Sequence, residues 1–254
     1  MHRVVIAACF LAVSLAGSTG HAMTPGDIQA FTGLTDRFVL TAEVGTPGQA
    51  DYVFLYGDKS GHVHIYGMDG EQLELTFEIT TLGSRAAAII VSDLYGDGKL
   101  KLLIGTVAGR VLIYDLATYE LEWENQQLRY SRVDHMAVGQ LDGDKQLEVV
   151  ILADDRLFIF DGYNRNVQWS STTNMVANYV VLGNVDDDVQ LEIVLNSGII
   201  VDSRFFNIQF QTDQIFGDRL ALADITGDGY PEVIGEFADR SLRVFDVWRG
   251  REVW

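Results

Sequence analysis

A twelve-residue acidic segment recurs five times along the 254-residue chain, and this recurrence constrains the fold more than any other feature. The segments begin at Glu43, Asp93, Gln140, Asn184 and Asp224, so that successive starts are 40 to 50 residues apart. The segment DITGDGYPEVIG at Asp224 is among the clearest copies, and EVGTPGQADYVF at Glu43 is the most altered one. A period of this length indicates one supersecondary unit that is repeated and stacked on its neighbours.

Each repeat continues beyond its acidic segment with the same landmarks. A short strand ends at a turn residue, and a large apolar residue follows eight positions later, at Leu75, Trp123, Trp169, Phe210 and Trp254. The residue before each start is small, namely Ala42, Ser92, Gly139, Gly183 and Ala223. Because packing between repeats must recur once per repeat, we predict that the apolar set lies between neighbouring units. The small residues are suited to a close approach of neighbouring strands.

Four short β runs are predicted in each repeat. In the Asp93 copy they are Ala86–Leu94, Leu100–Val107, Arg110–Asp115 and Glu120–Leu128. The first run is apolar on both faces, which predicts burial on two sides, whereas the second and third alternate more. Four antiparallel strands every 40 to 50 residues describe a β-propeller blade. The sequence therefore predicts an all-β fold, a five-bladed β-propeller of four-stranded antiparallel blades.

The start of the chain has the order of a secretion signal. His2 and Arg3 precede an apolar run, and the small residues Gly20 and Ala22 follow it. We therefore predict a signal peptide over residues 1–22, an N-terminal segment over 23–37 and the propeller over 38–254. The predicted blades are approximately 38–82, 83–130, 131–174, 175–215 and 216–254. The expected location is exported, either periplasmic or extracellular and at the cell surface, and the only cysteine, Cys9, lies within the signal.

The formal net charge of −18 bears on the classes of partner. Nucleic acids and anionic membrane surfaces are polyanions, so this charge argues against both. No segment after the signal is long and apolar enough to predict membrane insertion. The charge favours solubility, cations and basic partner patches.

The acidic segment resembles the FG-GAP/VCBS-type repeat of integrin α-like propellers, whose form is D-x-[DN]-G-D-G-x-x-[DE] before an apolar strand. Asp224 to Glu232 is the nearest copy. The strand and turn from Gly109 to Trp123 are also similar to pyrroloquinoline-quinone-type propeller repeats. The resemblance covers about 215 residues and implies a propeller. It specifies activity weakly, since such propellers serve adhesion, scaffolding, glycan binding and occasionally catalysis.

The acidic segments are candidate Ca²⁺ sites, because this ion takes six to eight oxygen ligands. We refer to each loop by its first residue. The candidate ligands are Asp142, Asp144 and Glu148 in the Gln140 loop, with a carbonyl from Gln140; Asn184, Asp186, Asp188 and Glu192 in the Asn184 loop; and Asp224, Asp228 and Glu232 in the Asp224 loop. In the Asp93 loop Lys101 replaces the last carboxylate, and in the Glu43 loop Thr46 and Pro47 replace the central ligands.

Two interpretations of these loops stay open. Asp and Asn form hydrogen bonds with their own backbone in tight turns, and such turns need no ion. Against this, three carboxylates in one loop repel each other unless a positive charge lies among them. If an ion is bound, the resemblance implies a structural Ca²⁺ that pins a hairpin.

Other candidate chemistry is sparse. His62 and His64 alternate on one strand, so both rings face the same side, but no third ligand has a clear spacing. This favours surface or packed histidines over a transition-metal site. Tyr163 and Trp248 lie in the turns between outer strands and are predicted to be exposed contact residues.

The sequence predicts a non-catalytic binding or scaffold propeller that mediates protein–protein or protein–glycan interaction. Two alternatives remain: a polysaccharide-active enzyme, such as a lyase or glycosidase, with a site on one propeller face, and a subunit of a cell-envelope or surface assembly. No catalytic motif distinguishes them.

Overall fold

The computed structural model describes residues 34–46, 49–69, 72–127 and 129–254. The predicted signal peptide, residues 23–33 and Pro47 lie outside this part of the chain. The described residues form strands and turns, and among them no helix is long and apolar enough to cross a membrane. The chain divides into two compact units, and the boundary between Ile89 and Ile90 falls inside strand β5.

The first unit holds one four-stranded antiparallel sheet in the order β1-β2-β3-β4. Its strands are β1 (Leu34–Thr46), β2 (Gln49–Asp58), β3 (Val63–Asp69) and β4 (Gln72–Ile79).

Four further sheets repeat the same order. The strands of the second sheet are β5 (Ala86–Ser92), β6 (Lys101–Thr106), β7 (Val111–Asp115) and β8 (Leu121–Glu124). Those of the third are β9 (Val133–Gly139), β10 (Glu148–Ala153), β11 (Arg156–Asp161) and β12 (Val167–Ser170). Those of the fourth are β13 (Val180–Gly183), β14 (Glu192–Leu195), β15 (Ile199–Val201) and β16 (Ile208–Gln211). Those of the fifth are β17 (Arg219–Ala223), β18 (Glu232–Glu236), β19 (Leu242–Asp246) and β20 (Arg251–Glu252).

Each sheet is a meander in which strands pair in chain order, as in a propeller blade. The predicted fold class, an all-β five-bladed β-propeller with four-stranded antiparallel blades, is confirmed. The four strands predicted in the Asp93 copy are also confirmed, although each is shorter than its apolar run, and Leu128 lies outside the described residues.

The predicted distribution of burial within a blade was wrong. Every residue of β6, β10 and β14, the second strands of their sheets, is buried. The first strands β5 and β9 are buried only in part. Apolar residues on both faces of a first strand therefore do not ensure burial; what covers a face is a neighbouring sheet, as β14 covers β10 in one apolar cluster.

Successive sheets of residues 90–254 pack face to face. Val150 and Leu152 on β10 share one apolar cluster with Ile193 and Leu195 on β14. The small residues before the acidic loops permit this approach, since a Cβ added at Gly139 would lie 2.8 Å from Leu182 Cδ1 on β13. The prediction of a close approach at this position is confirmed.

The recurring large apolar residues pack between blades in three of five cases. Trp123 lies 5.0 Å from Phe160, Trp169 lies 5.2 Å from Phe206, and Phe210 lies 6.3 Å from Phe216, measured between ring centroids, and each partner belongs to the following repeat. For Leu75 and Trp254 the prediction was wrong, because these side chains are 51% and 72% exposed. All five positions lie on a fourth strand or just beyond one, so the burial depends on whether a residue of the following repeat lies against the side chain, as it does for Trp123, Trp169 and Phe210.

Candidate functional site

Three buried glutamates close the acidic loops of residues 140–232. Glu148, Glu192 and Glu232 each begin a second strand, and each is 1% exposed. Their Oε2 atoms accept the backbone N–H of the residue seven positions earlier, at 2.7 Å from Leu141, 2.8 Å from Val185 and 2.7 Å from Ile225. The hairpin between the first and second strands therefore folds back onto its own glutamate.

In the Gln140 loop the structure brings the three predicted carboxylates together. Asp142, Asp144 and Glu148 each have an oxygen within 4.8 Å of the other two. The side-chain amide of Gln140 is engaged within the loop, because its Oε1 accepts the backbone N–H groups of Asp142 and Gly143 at 2.9 and 2.6 Å. The side-chain oxygen of Gln140 is therefore occupied by hydrogen bonds from the loop backbone.

The Asn184 loop is the most enclosed of the three. Asp186, Asp188 and Glu192 have carboxylate oxygens within 4.8 Å of one another, and Asp186 is itself only 9% exposed. Asn184 is held in the same loop by its Nδ2, which donates to the carbonyl of Asp188.

The Asp224 loop adds a cation that sequence reasoning did not find. Asp224, Asp228 and Glu232 lie within the same 4.8 Å limit. However, Arg249 Nη1 lies 2.6 Å from Asp228 Oδ2, and Thr226 Oγ1 donates to Glu232 Oε1 at 2.9 Å. A guanidinium therefore already offsets part of the negative charge of this loop.

The Asp93 loop replaces the buried carboxylate by a buried ammonium. Lys101 is 3% exposed, and its Nζ lies 2.7 Å from both Asp115 Oδ2 and Glu122 Oε1. Asp93 instead accepts the backbone N–H groups of Asp97 and Gly98 at 3.0 and 2.9 Å. The predicted cation is present at the position of the last ligand. The centre of the Glu43 loop, at Pro47, lies outside the described residues.

Burial and mutual repulsion shift the acidity of two of the glutamates. Burial, reinforced by Asp142, Asp144 and Asp161, raises the pKa of Glu148 to about 7. Burial, reinforced by Asp186 and Asp188, likewise raises the pKa of Glu192 to about 7. Folding therefore disfavours the ionised form of Glu148 and Glu192, and either a bound proton or a bound metal cation offsets this cost.

Side chains from the fourth strand or the turn before it reach the same loops. Gln168 Nε2 donates to Asp142 Oδ2 at 3.2 Å, and Gln209 Nε2 donates to Asp186 Oδ2. Glu122 takes the corresponding place beside Lys101. Sequence reasoning missed these residues, although each immediately precedes a recurring apolar residue, Trp123, Trp169 or Phe210.

The turn between the third and fourth strands presents an exposed aromatic side chain in three successive blades. Tyr163, Phe205 and Trp248 are 59%, 68% and 49% exposed. In two of these turns an aspartate at or just after the end of the third strand accepts the aromatic residue's own N–H, with Asp161 Oδ1 at 2.9 Å from Tyr163 N and Asp202 Oδ1 at 2.8 Å from Phe205 N. The predicted exposure of Tyr163 and Trp248 is confirmed. Phe205 lies in the equivalent turn but one position later, three residues after Asp202 instead of two, so the repeat spacing alone did not indicate it.

These turns and the acidic loops lie at the same end of each blade, because the first and third connections of an antiparallel meander share one end. Ring contacts join the two sets of residues, with Tyr230 of the Asp224 loop stacked 5.1 Å from Trp248 and Tyr95 of the Asp93 loop 5.8 Å from Tyr163. We call this set, Tyr163, Phe205, Trp248 and the neighbouring acidic loops, the turn face.

Comparisons with solved structures give likenesses of fold at low sequence identity. The crystal structure of Sqt1 from Saccharomyces cerevisiae aligns with a TM-score of 0.58 and 13% identity, over 80% of this chain and 57% of that one. The V. cholerae biofilm matrix protein Bap1 aligns with a TM-score of 0.59 and 18% identity, over 86% and 38%. BamB from Moraxella catarrhalis gives a TM-score of 0.48 and 19% identity, over 83% and 59%.

The chain thus spans 38 to 59% of the length of these proteins. No protein-family model and no curated protein sequence matches it. Sqt1 and Bap1 are β-propeller-type proteins, so the likeness to them supports the fold. At this identity it carries no activity across.

Proposed function

We propose that this chain is an exported, non-catalytic binding or scaffold propeller of the FG-GAP/VCBS type, and that its turn face holds a protein or glycan partner. The observation that carries the proposal is the exposure of Tyr163, Phe205 and Trp248 in equivalent turns of three successive blades. Core packing explains the buried aromatic residues of the repeat, but it does not explain three aromatic side chains that are 49% to 68% exposed.

Aromatic side chains of this kind suit recognition. Their large apolar faces contribute much of the energy of protein interfaces, and the polar atoms of Tyr and Trp tolerate a wet environment. The adjoining carboxylates add hydrogen-bond acceptors for sugar hydroxyls or for basic groups of a protein. The overall charge of −18 favours a partner that is neutral or basic.

We further propose that the acidic loops bind Ca²⁺ in a structural role. The convergence of three carboxylates within 4.8 Å in each of three loops supports this assignment. The Asn184 loop is the preferred site because it is the most enclosed, whereas Arg249 competes with a cation in the Asp224 loop. Bound ions would hold the hairpins that support the turn face.

Export is proposed from the order of charged, apolar and small residues over 1–22. The fold neighbour Bap1 is a biofilm matrix protein. Fractionation of the native cell tests this proposal. Finding the protein in the cytoplasm with residues 1–22 still attached would contradict it.

The binding proposal is tested by replacing all three aromatic residues with alanine, as Tyr163→Ala, Phe205→Ala and Trp248→Ala together. The matched control is Val176→Ala with Ile215→Ala, since these side chains are 68% and 51% exposed in connections at the opposite end of the blades. Binding to a panel of purified polysaccharides and to cross-linked envelope proteins is then measured for each variant.

We expect the triple variant to lose its partner while the control retains it, with both variants melting close to the wild-type temperature. Equal binding by the triple variant and the wild type would remove the turn face from the proposal. Depolymerisation of a polysaccharide by the wild-type chain would favour the enzyme alternative instead.

A further inference from the structure

A further cluster of metal-ligand side chains lies within the first unit. Asp58, His62 and His64 each have a potential ligand atom within 4.8 Å of the others. Glu78 adds a fourth group, because its Oε1 lies 3.4 Å from His62 Nδ1 and 3.2 Å from His64 Nδ1. Two imidazoles and two carboxylates therefore converge on one face of a sheet.

The register of the sheet produces this convergence. His64 on β3 is paired with Tyr56 on β2 and with Glu78 on β4, so these three side chains lie side by side on one face. His62 precedes His64 by two residues and therefore faces the same side. Glu78 is 14 residues beyond His64 in the chain, which is why sequence spacing did not reveal it as a third ligand.

The distances from Glu78 to the two histidines match those between ligands of one ion. Tetrahedral nitrogen and oxygen ligands about 2.0–2.1 Å from a zinc ion lie roughly 3.3–3.4 Å from each other. The separations of 3.4 and 3.2 Å from Glu78 Oε1 to the two Nδ1 atoms lie close to this range. A single carboxylate oxygen thus contacts both imidazole nitrogens.

Asp58 lies on the other side of the His64 ring. Its Oδ2 is 3.1 Å from His64 Nε2, while Nδ1 of the same ring lies 3.2 Å from Glu78 Oε1. In the tautomer with a proton on Nε2, the carboxylate of Asp58 accepts that N–H and Nδ1 is free to bind a metal ion. Asp58 is itself fixed, since its Oδ1 accepts the hydroxyl of Ser60 at 2.7 Å and the backbone N–H of His62 at 2.9 Å. This is the carboxylate–histidine arrangement that orients metal-bound imidazoles.

Packing holds the His64 ring in this orientation. The ring of Tyr56 stacks on it at 4.5 Å with an interplanar angle of 19°. The His64 side chain is 14% exposed, whereas His62 and Glu78 are 37% and 36% exposed. The cluster is therefore ordered on its inner side and open to an ion from solvent on its outer side.

We propose that His62, His64 and Glu78 bind one transition-metal ion of the zinc class, with a water molecule in the fourth position, and that Asp58 positions His64. Imidazole nitrogens select such ions over Ca²⁺, which prefers an all-oxygen site. The ion would link β3 to β4 across the sheet, independently of any Ca²⁺ in the acidic loops.

The first experiment measures Zn²⁺ binding by the full chain in saturating Ca²⁺, so that the acidic loops do not compete. We compare the wild type with His62→Ala/His64→Ala and with Glu78→Gln, and use Glu74→Gln on the same strand as the matched control. We expect the wild type and the control to bind one more Zn²⁺ per chain than the histidine double variant. Asp58→Asn should weaken the affinity about 10- to 100-fold without abolishing it.

A second measurement uses the wild type alone, so that its result does not depend on whether a variant folds. Zn²⁺ should shift the ring ¹⁵N signals of His62 and His64 with Nδ1 as the bound nitrogen, while Nε2 of His64 stays protonated. Co²⁺ in place of Zn²⁺ should give the visible absorption of a four-coordinate ion. Equal Zn²⁺ stoichiometry in the wild type and the histidine variant, or ring signals that do not respond to Zn²⁺, would overturn the proposal.

Discussion

Lys101 Nζ lies 2.7 Å from Asp115 Oδ2, and these two residues are directly paired on neighbouring strands. In the next blade the equivalent pair is Glu148 and Asp161. The same position of the repeat therefore holds an ion pair in one blade and two facing carboxylates in another. Although burial acts to lower it, the bonds to Asp115 and Glu122 raise the pKa of Lys101, and the bond from Lys101 lowers the pKa of Asp115 to about 2. One substitution thus replaces a buried carboxylate, in a loop where we propose a bound cation, by a lysine that supplies the positive charge itself.

Lys101→Met should destabilise the fold by about 3 kcal/mol, because it leaves Asp115 and Glu122 without their buried cation. Urea unfolding at neutral pH measures the change. The control is Lys99→Met, an exposed lysine in the same loop, which should change the free energy of unfolding by less than about 0.5 kcal/mol. Similar losses in the two variants would show that the buried pair contributes little.

Asp188→Ala should remove most of the stabilisation that Ca²⁺ gives, whereas Asp97→Ala should remove little. The two residues occupy equivalent positions, and each accepts a backbone N–H two residues on, from Gln190 and from Lys99. Only Asp188 belongs to a three-carboxylate group. Melting temperatures in Ca²⁺ and in chelator test this, and we expect a difference of several degrees for the wild type and for Asp97→Ala only. A wild-type melting temperature that chelator does not change, together with no metal in elemental analysis, would contradict the calcium proposal.

In chelator, stability should fall as the pH rises towards and through 7. Glu148 and Glu192 have pKa values of about 7 in the folded chain, above the ordinary 4.5. The folded state then holds protons that the unfolded state has released, so the stabilisation is complete below the ordinary pKa and is lost as the pH passes the raised one. Because Ca²⁺ binds the ionised form, adding it should flatten or reverse the fall.

Melting temperature as a function of pH, with and without Ca²⁺, measures this linkage. Glu148→Gln with Glu192→Gln is the control, since the amide oxygen still accepts the loop N–H but does not titrate. A wild type that gains stability over the same pH range in chelator would contradict the prediction.

Trp169→Ala should destabilise the protein by about 3 kcal/mol, because its ring stacks on Phe206 of the next blade and the truncation leaves a cavity. Trp254→Ala occupies the equivalent repeat position but is 72% exposed, so it should cost less than about 0.5 kcal/mol. Denaturant unfolding of both variants provides the comparison, and equal losses would mean that the repeat position, rather than burial, sets the energy.

Much of the fold was predictable because repetition multiplies a weak signal. A single run such as Ala86–Leu94 is ambiguous between strand and buried helix, but five copies with the same landmarks leave few architectures. The carboxylates of the three acidic loops were also predictable, since they belong to one hairpin and local spacing brings them together. Burial by strand was not predictable from alternation, because the sheets that pack against a strand, rather than its own sequence, decide how many of its faces are covered.

The sequence by itself determined what depends on neighbours along the chain: four strands per repeat, five blades, the hairpin carboxylates and the exposed turn residues Tyr163 and Trp248. Only the tertiary structure decided which groups distant in sequence contact the hairpin carboxylates and the histidine pair. It set Arg249 on Asp228, Gln209 on Asp186 and Glu78 on the His62–His64 pair. The physical reason is that pairing register, rather than spacing in sequence, decides which side chains of separate strands share a face.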